Sequence, residues 1–447
     1  MRIIVFALRG CPVAALGPYG NEWIATPNLD RFAAEGVVFD AHVSDCPDPA
    51  AAGRAWRTGR HQVPPIDPGT ASTSPANDLL AVLKARSVRT YLLRNTREAN
   101  DAHADFYVGW DELFDARPDP ADRSPADALF RALPAVLDRL AESADWLLWI
   151  EIDHLLPPWV VRQDVFDVYV EDLLEDDSEQ AAEDSDEPDE AGDEPADVEP
   201  DPEFDEEPEP EIEEPEVEPV QPWTDPPTGW FDRDDLASWE LLHRSFAAAV
   251  TVFDADLGRV FEVLRCRGLD RSAAWVLTAD RGLPLGEHGL IGFHRPWLHE
   301  ELVHVPLIVR QPDAAQAGRR VPALTQPADL APTLAAWYGA DWPAADDVSL
   351  LPLTRGEAES VRPFACSGLV LGPAGEWAIR TPEWTLLVPA RPHPDDEERR
   401  EPMLFEKPND RWEVNDLRAR NTDRADELDD VLRKFVAAIQ HPGPLRR

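Results

Sequence analysis

The chain has 447 residues, 43% of them hydrophobic, with 42 Lys and Arg against 87 Asp and Glu and a formal net charge of -45. That length accommodates about two to four domains, or one large α/β domain with an appendage. Residues 171–220 hold 27 of the acidic residues and no Lys or Arg, so the other 397 residues carry only -18. Such a field repels phosphate backbones and anionic lipid, and argues against nucleic-acid or membrane-surface binding by the chain as a whole.

Ile3 to Leu8 is a short apolar run bounded by Arg9-Gly10, the pattern of a parallel strand buried on both faces. It is shorter than a secretory core, and no apolar run approaches the roughly 20 residues of a membrane span, so the expectation is a soluble, cytoplasmic protein. Thr26-Pro27-Asn28-Leu29 then opens a helix with a cap candidate and Pro at the first helical position, and Gly36 closes it before the strand Val37-Val38-Phe39. Cys11, Cys46, Cys266 and Cys366 lie far apart with no C-x-x-C pair. Neither a zinc ribbon nor a dithiol motif can be drawn from them, and buried free thiols are expected.

Alternation continues with a helical stretch at 77–85, an extended one at 90–93, a helix at 126–144 and a strand at 146–152. This predicts a mostly parallel sheet between helix layers. From 171 to 227 the chain is acidic and Pro-rich with almost nothing to bury, and is expected to be a disordered insert. A long helix follows over 234–267, where Leu241, Phe246, Val250, Phe253, Leu257, Val260 and Leu264 recur at helical spacing. Strands are expected at 273–278 and 305–310 and a short helix at 329–339. Beyond 349, short extended pieces at 377–380 and 385–388 and a helix at 425–439 suggest a small α+β subdomain. The expected organisation is a domain over 1–348 interrupted by the insert, and a subdomain over 349–447.

Three blocks carry a resemblance: GPYGNEWIATPNLDRFAAEGVVFDAHV at 17–43, LTADRGLPLGEHGLIGFHRPWLHEELVHVPLIVR at 277–310, and VPALTQPADLAPTLAAWYGAD at 321–341. In order and spacing they resemble the sulfatase family of the alkaline-phosphatase-like superfamily. The C-terminal stretch also resembles that family's closing subdomain. The resemblance implies an α/β core and sulfuric-ester hydrolysis by a formylglycine nucleophile beside a carboxylate-bound calcium ion. Such chemistry needs a strong nucleophile and fixed positive charge around an anionic centre.

Measured against that implication, the chain departs from the family at each chemical position. The nucleophile position before Thr58-Gly59-Arg60 falls on Pro49 or Ala50, and nearby Cys46 lacks the downstream Ser-Arg. The acidic pair after the first strand falls on Arg9-Gly10. The second metal block is Asp280-Arg281, leaving Asp280 as a single vestigial metal ligand, because a guanidinium has no lone pair for a cation. The family's leaving-group His and anion-clamp Lys fall on Leu156 and Phe293. Arg9 and Arg281 would then bring two fixed positive charges to the region where the family keeps a dication, with Asp280 pairing one of them. Exposed arginines at strand ends are the alternative.

Arg9, Arg54, Arg281, His288 and His294 remain candidates for anion contacts, with Arg54 and His294 the candidates for a catalytic role. His288, in Gly286-Glu287-His288-Gly289, has a structural role as its alternative. His299 and His304 are five apart, which does not suit a metal pair on one helix face, and are expected to be surface or packing residues. The 16 Trp residues are dispersed and read as core and edge packing.

The function expected is that of a pseudo-sulfatase, a binding or scaffold protein with no cofactor. Its partners would be a small anion or a protein ligand at the crevice, and a basic partner for the acidic insert. The rival is a hydrolase of sulfuric or phosphoric esters using a reorganised site of Arg9, Arg54, Asp280, Arg281 and His294, with calcium if that reading holds.

Overall fold

The computed structural model describes residues 1–64, 77–96, 104–117, 119, 122, 124–170, 220–293, 295–343, 348–391 and 401–440. The acidic stretch 171–219 and His294 lie outside the described residues.

Strands β1 (Arg2–Leu8), β2 (Val37–His42), β3 (Arg89–Asn95), β4 (Glu112–Asp115), β5 (Trp146–Ile152), β7 (Ala274–Ala279), β9 (Leu307–Arg310) and β10 (Arg319–Thr325) form one sheet. Its order is β10-β2-β9-β7-β1-β5-β3-β4. Every pairing is parallel except the two made by β9, which opposes both β2 and β7. Two short strands, β6 (Gly229–Trp230) and β8 (Leu290–Ile291), pair separately.

β1 shows why its sequence is apolar throughout. Ile4, Phe6 and Leu8 belong to the core on one face of the sheet, while Ile3, Val5 and Ala7 belong to the core on the other. Side chains alternate faces along a strand, so a strand covered on both sides has no position for water. Each fully buried Phe or Ile contributes about 1.5–3 kcal/mol relative to exposure.

The first face is covered by α1 (Pro27–Ala34), by the long helix Leu236–Cys266, and by Pro125–Ala141. The second is covered by Pro49–Thr58, Leu79–Ala85 and Leu330–Trp337. In the long helix the predicted apolar stripe faces the core, except that Leu242 is the fully buried residue at its start and Leu241 is only partly so. Thr26 makes no side-chain cap for α1. The cap comes from the long helix instead, where buried Asp254 accepts from the backbone N–H of Asn28 and Leu29 at 3.0 and 2.8 Å. Gly258, one turn on, lets the two helices meet, since a Cβ there would lie 2.3 Å from Asn28.

The predicted disordered stretch ended at 227, but its last residues are held against the core. The Trp223 N–H donates to Ser245 Oγ at 2.7 Å, the Trp159 N–H to the Thr224 carbonyl at 2.7 Å, and Gly229–Trp230 pairs with Leu290–Ile291. The bulky aromatic Trp223 gives this segment something to bury that the acidic residues lack.

The C-terminal unit is an antiparallel meander of β11 (Ala365–Leu371), β12 (Ala374–Arg380), β13 (Trp384–Arg391) and β14 (Met403–Glu406). The helix Thr422–Gln440 lays Leu428, Leu432 and Val436 on Ile379, Leu386 and Leu404. Leu350 and Leu353, beside and within the short helix Leu351–Arg355, pack with the main-sheet core, so this subdomain's own sheet begins at Ala365.

Candidate active site

In a parallel sheet the loops leaving the carboxyl ends of the strands gather on one edge, where α/β proteins place their ligands. Here that edge collects Arg9 and Gly10 after β1, Asp280 and Arg281 after β7, Asp153 and Leu156 after β5, and Ser44 and Asp45 after β2. Backbone bonds lock the first three loops together. The Arg9 N–H donates to the Ile152 carbonyl at 2.9 Å, that of Asp280 to Leu8 at 3.0 Å, and that of Cys11 to Arg281 at 2.8 Å. Gly10 has φ +65°, and a Cβ there would come within 2.3 Å of the Leu156 side chain. Glycine thus permits both the left-handed turn and the close seat of Leu156 over it.

Both arginines point into this edge. Their side chains are only 11% and 10% exposed, which excludes the alternative of solvated arginines at strand ends. Asp280 is buried and uses both oxygens: Oδ1 accepts from the Gly10 N–H at 3.0 Å and Oδ2 from Arg281 at 3.2 Å. The Arg281 guanidinium lies 4.9 Å from the centre of the Phe293 ring, a cation–π contact.

Arg9 turns to β5, where its guanidinium donates to Tyr107 Oη at 3.0 Å and to Glu151 Oε2 at 3.3 Å, and Tyr107 Oη donates to the same Glu151 oxygen at 3.0 Å. Burial disfavours the Arg9 cation, but Glu151 and Asp280 outweigh it and hold its pKa above the ordinary value. Burial pushes the Glu151 carboxyl up despite Arg9, and pushes the Tyr107 hydroxyl up to about 12.

This donor set does not fit a divalent cation. A hard cation needs several free oxygens, whereas Asp280 is spent on Gly10 and Arg281, and the neighbouring positions offer a guanidinium and a glycine. Among the described residues no three of His, Cys, Asp and Glu come together as a metal-ligand set.

Where the sequence resemblance puts the nucleophile, the helix Pro49–Thr58 begins with Asp48 as its cap, accepting from the Ala51 N–H at 2.9 Å, and with Pro49 as its first residue. Neither Pro49 nor Ala50 offers an attacking atom. Cys46 is 5% exposed, and burial raises its thiol pKa, so it is a buried inert thiol. Cys11 and Cys366 are buried as well, while Cys266 is exposed at the end of the long helix. Arg54 is exposed on its helix, and its Nε donates to Gln62 Oε1 at 3.2 Å.

His288 takes the structural role given as its alternative, held by carboxylate and carbonyl groups: Nδ1 lies 2.7 Å from Glu301 Oε1 and Nε2 3.2 Å from the Glu413 carbonyl. Of the surface and packing roles expected for His299 and His304, the structure shows packing. They flank the one-turn helix Glu300–Val303, are 2% and 8% exposed, and pair with Glu413 at 3.0 Å and with Glu300 at 2.7 Å. The reason is tertiary, since the loop carrying Glu413 folds back from the C-terminal subdomain onto this helix turn.

The structure therefore brings Arg9, Asp280 and Arg281 together and adds Glu151 and Tyr107, which sequence reasoning missed. Glu151 did leave a signal, as the one charge inside the apolar run Trp146–Ile152. Glu413 left none.

A sequence model of the family described as Sulfatase matches residues 12–340. The chain belongs to the sulfatase family. The N-acetylglucosamine-6-O-sulfatase of Bacteroides thetaiotaomicron is 33% identical over 128 residues, 28% of this chain and 23% of that protein. The aligned stretch thus spans about a quarter of that sulfatase relative. Among solved structures, a protein in complex with its substrate D-glucosamine-2-N,6-O-disulfate superposes with a TM-score of 0.67 at 17% identity, covering 100% of this chain and 99% of the other. The phosphonate monoester hydrolase of Agrobacterium radiobacter gives 0.68 at 15% identity, covering 98% and 96%. At such identities the likeness to both structures is one of fold. Among the described residues no helix is long and apolar enough to cross a membrane.

Proposed function

We propose that this sulfatase-family chain is a pseudo-sulfatase, a cytoplasmic binding or scaffold protein without sulfuric-ester hydrolysis and without a bound calcium ion. The observation that carries this reading is the ion pair at the strand tips, where both Asp280 oxygens are already engaged, by the Gly10 N–H and by the Arg281 guanidinium that stands beside it. Pro49 at the nucleophile position supports it, since a ring carbon cannot be an oxidised nucleophile. Leu156 and Phe293 make the crevice apolar where a hydrolase of anionic esters needs an acid and an anion clamp. Its ligand would meet Arg9 and Arg281 only by displacing their carboxylates, and the acidic stretch 171–220 would draw a basic partner by its field.

The rival reading, a hydrolase of sulfuric or phosphoric esters, draws on the activities named for the structural neighbours. General-base assistance alone supplies about 10²–10⁴-fold, small against the barrier of a sulfate ester. The test uses the full chain with aryl sulfate, phosphate monoester and phosphonate monoester substrates, and elemental analysis after calcium loading and dialysis. The expected result is no turnover above a mock purification and near-zero calcium. Turnover that disappears in Asp280→Ala, or a tightly held ion lost in that variant, overturns the reading.

A further inference from the structure

Away from the crevice, a cavity of about 410 Å³ lies between the loop after β7 and the C-terminal subdomain, lined by Glu287, His288, Trp297, His299, Met403 and Glu413 among others. Its floor is unusual in two ways. The rings of His288 and His299 stack face to face, with centres 3.8 Å apart and planes 13° from parallel. Both ring nitrogens of His288 also face acceptors, Nδ1 the Glu301 carboxylate and Nε2 the Glu413 carbonyl. A carbonyl can only accept, and so can an ionised carboxylate, so both bonds form only when His288 and Glu301 together hold one more proton than a neutral imidazole beside a carboxylate. The second ring of the stack is tied to the same loop, since His299 meets Glu413 Oε2 through Nδ1 at 3.0 Å.

Glu413 is the far side of this contact. It belongs to the loop after β14 and carries a side chain at φ +58°, a backbone state that persists only where its surroundings hold it. What holds it is His299, the Glu300 N–H, Arg380 and Lys407 on the carboxylate, and the His288 ring on the carbonyl.

We propose that the His288–His299 stack is a proton-dependent latch, which seats the Glu413 loop of the C-terminal subdomain on the core when the extra proton is present and releases it, opening the cavity, as that proton leaves.

The charged and titratable groups around the stack act in one direction above pH 5. Burial lowers the His288 pKa, but Glu301 and Glu413 outweigh it, so the net shift is upward. Its stabilisation is full below the unfolded value of about 6.5 and is lost as pH rises through the folded one. Glu287 is pushed up to about 7, by burial first and by Glu301 next, so the seated loop binds its proton and weakens as pH rises from about 4.5 towards 7. Glu300 and Glu413 run the other way. Burial opposes their charge, but His304 and Lys407 hold Glu300 down at about 2, and Arg380 and Lys407 hold Glu413 well below its ordinary value. Their contribution is lost only in acid. The cavity lining also carries Arg233, a fixed charge across this range, together with Glu401 and Asp416. The seated loop is therefore held best near pH 5–6 and loosens towards pH 8.

Hydrogen exchange of the full chain tests this, with amide protection over 410–416 compared at pH 5.5 and 8.5 after dividing out intrinsic exchange rates. The expected result is a fall of about tenfold or more, confined to this loop and the cavity walls, and reduced severalfold in His288→Gln, which keeps a donor but cannot titrate. Glu287→Gln, a milder change, should shrink the fall. Equal protection at both pH values overturns the latch, and so does a fall that persists undiminished in His288→Gln.

Discussion

At the strand tips, two guanidiniums meet two carboxylates from neighbouring strands of one sheet, Arg281 with Asp280 and Arg9 with Glu151. At the subdomain junction a single carboxylate, Glu413, gathers Arg380, Lys407 and His299, and its partners come from the core as well as from its own subdomain. Both networks are buried, but the first closes on itself and the second ties two units together. A self-contained pair can be exchanged as a unit for apolar side chains, because the desolvation cost of its charges disappears with their attraction. A shared carboxylate has no such substitute, since removing it strands several partners at once.

The comparison is most exposed at Glu413. Glu413→Ala should destabilise the chain by about 3–5 kcal/mol, the usual cost of leaving buried charges without their partner. Urea unfolding at pH 7 measures it, and a loss below about 1 kcal/mol would show that Glu300 alone can balance Arg380 and Lys407. Because the Glu413 carboxyl is held well below its ordinary value, its stabilisation is present above about pH 4.5 and fades as pH falls through the folded value. The variant should therefore lose less stability between pH 5 and 3 than the parent does.

A sharper form of the contrast uses the crevice pair. Asp280→Ala strands Arg281 and the Gly10 N–H, and should cost about 3 kcal/mol. The double variant Asp280→Leu with Arg281→Met should recover the part due to Arg281 but not the part due to the Gly10 N–H, an unpaired buried donor that costs about 1–3 kcal/mol. Denaturation of the single and double variants decides this. A double variant as weak as the single one would mean that the pair is bound into the Arg9–Glu151 network.

A smaller effect is expected beneath the pair, at Gly10. Gly10→Ala forces a Cβ into a left-handed turn and onto Leu156, at about 1–3 kcal/mol, and trimming Leu156→Ala should recover the steric part but not the conformational part. A thermal melt of the three variants separates the two.

Much of the fold was legible along the chain. The run Ile3–Leu8, the helix over 27–34 and the strand over 146–152 could be read because each is a local pattern of side-chain periodicity bounded by turn residues. The candidate site was legible in part. Arg9-Gly10 and Asp280-Arg281 stand out along the chain as charged residues directly after apolar strands, and the structure brings them together. Tyr107 and Glu413 were invisible, because each reaches its partners across 44 and 114 residues of chain respectively.

The sequence by itself determined the α/β alternation, the uneven charge and the residue types at each position of the strand-tip loops, since all of these depend on which residues are present and how they are spaced. Only the tertiary structure decided which carboxylate answers each arginine, that Asp254 rather than Thr26 caps the first helix, and that His288, His299 and His304 each face a buried carboxylate. The physical reason is the same in each case. A buried charge must find its partner wherever the packing puts one, and packing joins residues whose separation along the chain carries no periodic signal.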